Sequence, residues 1–115
     1  MARAKPNYVV AKLFKFDPDT EQDVTLFIVP EGKLLKTAVI KLYFDIGTEF
    51  QLKCKVKYGE MPIKPDNGEF TGNGNWVEAK FEMELESGSK ILLHAKNEST
   101  TEIKKVYVIV EGEVE

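Results

Sequence analysis

The stretch from Thr37 to Tyr58 constrains this chain more than any other. Phe50, Leu52, Cys54, Val56 and Tyr58 fall on one parity, and Glu49, Gln51, Lys53, Lys55 and Lys57 on the other. A β-strand sends successive side chains to opposite faces, so the pattern specifies one apolar and one solvated face. The preceding residues repeat it with Ala38, Ile40, Leu42 and Phe44 inward, while Val39 and Tyr43 make the outer face less polar. Asp45-Ile46-Gly47 between the two halves reads as the turn of a hairpin. A hairpin with one apolar face is not stable alone, so a second sheet must cover it.

The rest of the chain supplies that sheet. Tyr8 to Phe16 is rich in β-formers, and Val24 to Val29 is apolar apart from Thr25, as for a strand covered on both sides. Gly59 to Asn75 holds Pro62, Pro65, Gly68, Gly72 and Gly74 and reads as a loop, with a short edge strand at Glu69-Phe70-Thr71. Trp76 to Glu86 alternates again, with Val77, Ala79, Phe81, Met83 and Leu85 inward. Ser87-Gly88 signals a hairpin into Lys90–Lys96, where Ile91, Leu93 and Ala95 face in. A last strand from Ile103 to about Glu111 places Val106, Val108 and Val110 inward. No helical periodicity interrupts this. The expected fold is all-β, a single-domain antiparallel sandwich of seven or eight strands, jelly-roll-like, over residues 1–115, with a short basic arm at 1–6.

Composition narrows the function classes. Of the 16 basic residues only Arg3 is arginine, which argues against sequence-specific nucleic-acid binding, since bidentate base contacts favour arginine. The net charge of −3 arises from interspersed Lys and Glu, a bias reported for thermostable proteins. No run approaches the ~20 apolar residues of a membrane span, and no signal-peptide core follows the first residues, so cytoplasmic synthesis without membrane association is expected. Cys54 is the lone cysteine, on inward parity, and is expected to be a buried, inert thiol.

No catalytic, cofactor or metal site is expected. Asp17, Asp19, Glu21 and Asp23 alternate oxygen ligands, but Gln22 and Ile28 stand where a calcium loop of the EF-hand type needs Gly and Glu. His94 is the only histidine, too few for a zinc or cupin-type metal site, and nothing in the sequence supplies a nucleophile or orienting partner for it. Glu78, Glu82, Glu84 and Glu86 read as a solvated row, not a glycosidase pair. Asn97-Glu98-Ser99 matches a glycosylation sequon, a motif common by chance.

Two features suit binding. Gly72-Asn73-Gly74-Asn75-Trp76 either closes the end of the core with Trp76 or offers Asn73, Asn75 and Trp76 to a sugar ring. Val39, Tyr43, Leu92, Tyr107 and Ile109 are apolar on outward parity, a candidate homo-oligomer interface with a trimer favoured.

In order of elements, Asp23-Val24-Thr25-Leu26 to Pro30-Glu31-Gly32-Lys33, Thr37-Ala38-Val39-Ile40 and Phe44-Asp45-Ile46-Gly47-Thr48 resemble small β-sandwich structural modules of tailed phages and prophages. The resemblance implies a non-enzymatic, often trimeric module that decorates or tips a particle beside its other structural proteins, in some cases at a receptor. It implies association with a virion after synthesis. Trp76-Val77 after the Gly/Asn loop, followed by the Gly88 turn, is similar to jelly-roll carbohydrate-binding modules. That likeness implies a surface glycan as the alternative ligand.

Overall fold

Eight strands make two four-stranded antiparallel sheets in the computed structural model, which describes residues 7–115 (for Phe81 the backbone alone). They are β1 (Tyr8–Phe16), β2 (Glu21–Ile28), β3 (Leu35–Phe44), β4 (Leu52–Tyr58), β5 (Met61–Lys64), β6 (Asn75–Phe81), β7 (Lys90–Asn97) and β8 (Lys104–Val114). The first sheet runs β1-β8-β3-β6 and the second β2-β7-β4-β5. The first strand therefore pairs with the eighth, the second with the seventh, the third with the sixth and the fourth with the fifth. This is jelly-roll connectivity: one long folded ribbon wrapped so that its strands alternate between two sheets. The expected all-β sandwich is the fold found. The basic arm at 1–6 and the inward placement of the Phe81 side chain lie outside the described residues.

The inward parities become the two faces of one core. Phe16, Ala38, Ile40, Leu42, Phe44, Val106, Val108 and Val110 come from the first sheet, and Leu26, Phe27, Leu52, Cys54, Val56, Ile91, Leu93 and Ala95 from the second. Each large side chain removed from water contributes about 1.5–3 kcal/mol, which is why strict alternation dictates the faces so firmly.

Neighbours differ from those expected. Thr37 to Tyr58 is not a hairpin: β3 pairs with β8 and β6, and β4 with β7 and β5, so the two apolar faces meet across the core instead of lying side by side. Phe50 is accordingly not inward. It is exposed in the crossing between sheets, where Glu49 and Phe50 both take positive φ (52° and 59°), and the inward pattern begins at Leu52. Ser87-Gly88 likewise turns the chain from one sheet to the other, because β6 and β7 are not partners. β6 stops at Phe81, and of the expected continuation Leu85 makes an isolated bridge to Leu35. Val24 to Val29 is not a doubly covered strand. β2 lies at an edge, with a register shift between Thr25 and Phe27 that lets consecutive Leu26 and Phe27 both face the core. The Pro/Gly stretch contains the short edge strand β5, and Phe70 bridges Cys54.

Candidate binding face

The outer face of the first sheet departs most from a solvated surface. Strand register sets Leu13 of β1 beside Tyr107 of β8, Tyr107 beside Tyr43 of β3, and Tyr43 beside Trp76 of β6. Four apolar side chains thus cross all four strands in a single row. Trp76 is 54% exposed, Leu13 43% and Tyr107 41%. The next row is Ala11, Ile109, Lys41 and Glu78, and the one after it Val9, Glu111, Val39 and Lys80. Val9 is exposed and Val39 nearly buried. An ion pair between Lys41 Nζ and Glu111 Oε1, at 2.7 Å, lies among these apolar groups.

The aromatic rings form one cluster. The centroids of Tyr43 and Trp76 are 5.1 Å apart with planes at 44°, and those of Tyr43 and Tyr107 are 6.2 Å apart at 46°. Tilted rings in contact have no common plane. A shallow depression of about 620 Å³ runs along the row between Leu13, Tyr43, Asp45, Trp76 and Tyr107, and a second of about 410 Å³ lies between Lys41, Trp76, Glu78 and Ile109.

The loops at this end hold Trp76 in place. Asn73 Oδ1 accepts hydrogen bonds from the Gly47 and Glu49 amides (2.8 and 3.4 Å), and Gly74 N donates to Phe44 O at 2.7 Å. Asn75 Oδ1 accepts from Asn73 N at 2.7 Å. Gly74 has φ +72°, which a residue with a Cβ adopts only at a cost. The amide oxygens of Asn73 and Asn75 are therefore occupied in tying residues 72–75 to the turn at 45–49. Beneath that turn, Lys104 is buried on core-facing parity, and its ammonium donates to Gly47 O (2.6 Å) and Glu102 Oε2 (3.2 Å).

Of the five candidate interface residues, the fold brings Val39, Tyr43, Tyr107 and Ile109 onto this face. Leu92 is on β7 in the other sheet, between Thr25 and Lys57. Trp76, Asn73 and Asn75 join the same end of the face, so the two candidate sites become one region. Val9, Ala11 and Leu13 were not anticipated. Their signal is apolar residues on both parities, in Tyr8-Val9-Val10-Ala11 and again in Leu13-Phe14.

The outer face of the second sheet is built from charge. His94 Nδ1 lies 2.7 Å from Asp23 Oδ1 and its Nε2 2.9 Å from Glu21 Oε1, and Lys57 Nζ donates to Asp23 Oδ2 at 3.1 Å. Burial alone would raise the Asp23 pKa, but the hydrogen bonds from His94 and Lys57 and their charges outweigh it, and the carboxyl is held below its usual value. These partners for His94 were missed because the register of β2 against β7 sets them, with Asp23 opposite His94. With a carboxylate on each nitrogen, the ring has no face left for a nucleophile's proton.

The acidic turn is similarly occupied. Glu21 and Asp23 point to His94, and Thr20 Oγ1 donates to Asp17 O. Among the described residues no three His, Cys, Asp or Glu side chains converge as metal ligands. Burial first, and then the charge of Glu69, push the Cys54 thiol up to about 12, far from a reactive thiolate. Asn97 of the sequon is 1% exposed. Its two Nδ2 hydrogens are shared among Phe16 O, Asp17 O and Glu102 O, and its Oδ1 accepts from Ser99 N, so its amide is a structural junction. No protein-family model matches this chain, and no curated protein matches it.

Proposed function

We propose that the protein is a non-enzymatic assembly module that works through the outer face of the β1-β8-β3-β6 sheet. The observation that carries this reading is the row Leu13–Tyr107–Tyr43–Trp76, flanked by Val9, Ala11 and Ile109. Contiguous apolar surface on a soluble domain costs free energy unless a partner covers it, and Trp and Tyr anchors inside a polar rim are the usual content of a protein interface. Lys41 with Glu111, and Glu78 with Lys80, supply such polar groups. The contrast with the charged outer face of the second sheet supports a one-sided use of the fold. Homo-oligomerisation, together with contacts to other structural proteins of a viral or prophage particle, is the assembly we infer, in line with the phage-module resemblance of the sequence.

The test is solution mass by light scattering over a dilution series, with Leu13→Lys and Tyr107→Lys beside the wild type. Assembly that weakens in both variants supports the reading. A wild-type chain that stays monomeric at every concentration refutes self-assembly.

A second reading is favoured by the exposure of Trp76 beside Tyr43, which offers a ring to a pyranose. It ranks lower because the rings are tilted and aliphatic groups extend the face well beyond them. Glycan-dependent quenching of Trp fluorescence, abolished in Trp76→Phe only as the reporter is removed but also lost as binding in Tyr43→Ala by calorimetry, would support it.

A further inference from the structure

Four strands lie at sheet edges: β1 and β6 in the first sheet, β2 and β5 in the second. Three of them carry features that discourage pairing with another chain. Lys12 occupies a core-facing position of β1, between Val10 and Phe14, and remains exposed. The β2 ladder is broken between Thr25 and Phe27. β5 has four residues, and one of them is Pro62, which has no N–H to donate. Bulges, prolines and inward charges are the devices by which sheet edges avoid other strands.

β6 has no bulge, proline or inward charge over its seven residues, and its charged side chains, Glu78 and Lys80, both point outward. Its core-facing positions include Val77 and Ala79, and its outward side chains run Trp76, Glu78, Lys80. That order is self-complementary. Laid antiparallel against a copy of itself about Ala79, the strand sets Glu78 opposite the partner's Lys80, and Lys80 opposite the partner's Glu78. Opposite charges directly across a ladder stabilise it, and like charges do the reverse. Lys80 reaches Glu82 of its own chain at 3.6 Å, with both side chains well exposed. Such a pair is weak and exchanges readily for a better-placed carboxylate.

We propose that two copies of the chain pair edge to edge through β6, continuing the β1-β8-β3-β6 sheet into one of eight strands across a two-fold axis near Ala79. The axis stands perpendicular to the sheet, so both outer faces point the same way. The two aromatic rows then share one broad surface. The inference rests on the assembly reading and deepens it: the oligomer is a dimer or an even-numbered multiple, not the trimer that the phage resemblance implies.

A charge-swap series on the full chain tests this, with light scattering as the readout and far-UV circular dichroism confirming the fold. Glu78→Lys and Lys80→Glu each replace two attractive cross-strand pairs with two repulsive ones and are expected to weaken dimerisation about tenfold or more. The double variant, Glu78→Lys with Lys80→Glu, is expected to recover it, because the opposite charges again face each other. Lys15→Glu, on β1 at the far edge of the sheet, exposed and outside the aromatic row, is expected to leave the two-chain species intact. Two single variants that dimerise like the wild type, or a double variant no better than either single, overturn the β6 pairing. If Leu13→Lys then abolishes assembly, the face reading stands without it. A wild type monomeric throughout overturns both.

Discussion

Replacing Asn97 by alanine is expected to cost more than any surface change in this protein. The side chain is buried at the end of β7 and ties the end of β1 to the turn at 99–102: its two amide hydrogens are shared among Phe16 O (3.0 Å), Asp17 O (3.1 Å) and Glu102 O (2.9 Å), and its oxygen accepts from Ser99 N at 2.9 Å. Truncation leaves the Phe16 carbonyl and the Ser99 N–H buried without partners, at about 1–3 kcal/mol each. Asp17 and Glu102 belong to exposed residues, so water replaces part of their loss and each adds about 0.5 kcal/mol. The total is about 3–7 kcal/mol, a large part of the roughly 5–15 kcal/mol that holds a domain folded. At about 4 °C per kcal/mol for a chain of this length, it corresponds to a fall in Tm of roughly 12–28 °C. Asn97→Asp has nearly the same volume and keeps the acceptor for Ser99, but it turns a carboxylate oxygen toward three carbonyls. Desolvation and those carbonyls raise the folded pKa of the introduced acid. Its folded state therefore holds a proton that the unfolded state has released, and the variant loses stability as pH rises above about 4. Thermal and urea unfolding of both variants at pH 4 and pH 7 provides the check. A Tm loss under about 5 °C for Asn97→Ala, or an aspartate variant indifferent to pH, would refute the junction role.

Asp23→Asn removes a carboxylate whose folded pKa lies below 3.8, so its contribution is complete above the unfolded value and lost as pH falls through the folded one. Unfolding free energies of wild type and variant from urea titration should differ by about 0.5–1 kcal/mol at pH 6, discounted for an exposed pair, and converge near pH 2; a gap that persists in acid contradicts this. Gly74→Ala forces a Cβ into φ +72° against Ile46, whose exposed side chain can turn aside, so the expected loss is about 1–2 kcal/mol from the backbone, read by thermal unfolding. Cys54 should react with a thiol reagent only as fast as the protein unfolds, and labelling of the native state at neutral pH would contradict its burial. Iodide should quench Trp76 readily in the dilute native protein, and protection that grows with concentration would place the indole inside an interface.

The core was legible because alternation is a property of a single strand. Leu52, Cys54, Val56, Ile91, Leu93, Val106, Val108 and Val110 all face inward as their parity requires. Pairing was not legible, because parity says which way a side chain points and nothing about which strand lies beside it. Asp45-Ile46-Gly47 has the composition of a hairpin turn, yet Thr48 Oγ1 and N both bond back to Asp45 O, and the chain then passes through two left-handed residues to reach the opposite sheet. The bulge that buries Leu26 and Phe27 together also defeats a period-two reading, since it changes parity within one strand.

The candidate face shows the same limit at a larger scale. Leu13, Tyr43, Trp76 and Tyr107 are scattered over the chain, and only the jelly-roll order β1-β8-β3-β6 sets them side by side. Leu92 has the same outward parity as Tyr43 and was grouped with it, but β7 belongs to the other sheet, and the two side chains point away from each other across the whole core. On the second sheet the roll-up has the opposite result. Asp23 and Glu21 come against His94, and an acidic turn and a lone histidine become a hydrogen-bonded cluster. The same wrapping that satisfies the charges of one face leaves the aromatic row of the other without a covering layer. A sandwich with one outer face rich in paired charge and the other crossed by an apolar row gains most from burial on the β1-β8-β3-β6 sheet, an asymmetry that supports the proposed partner there.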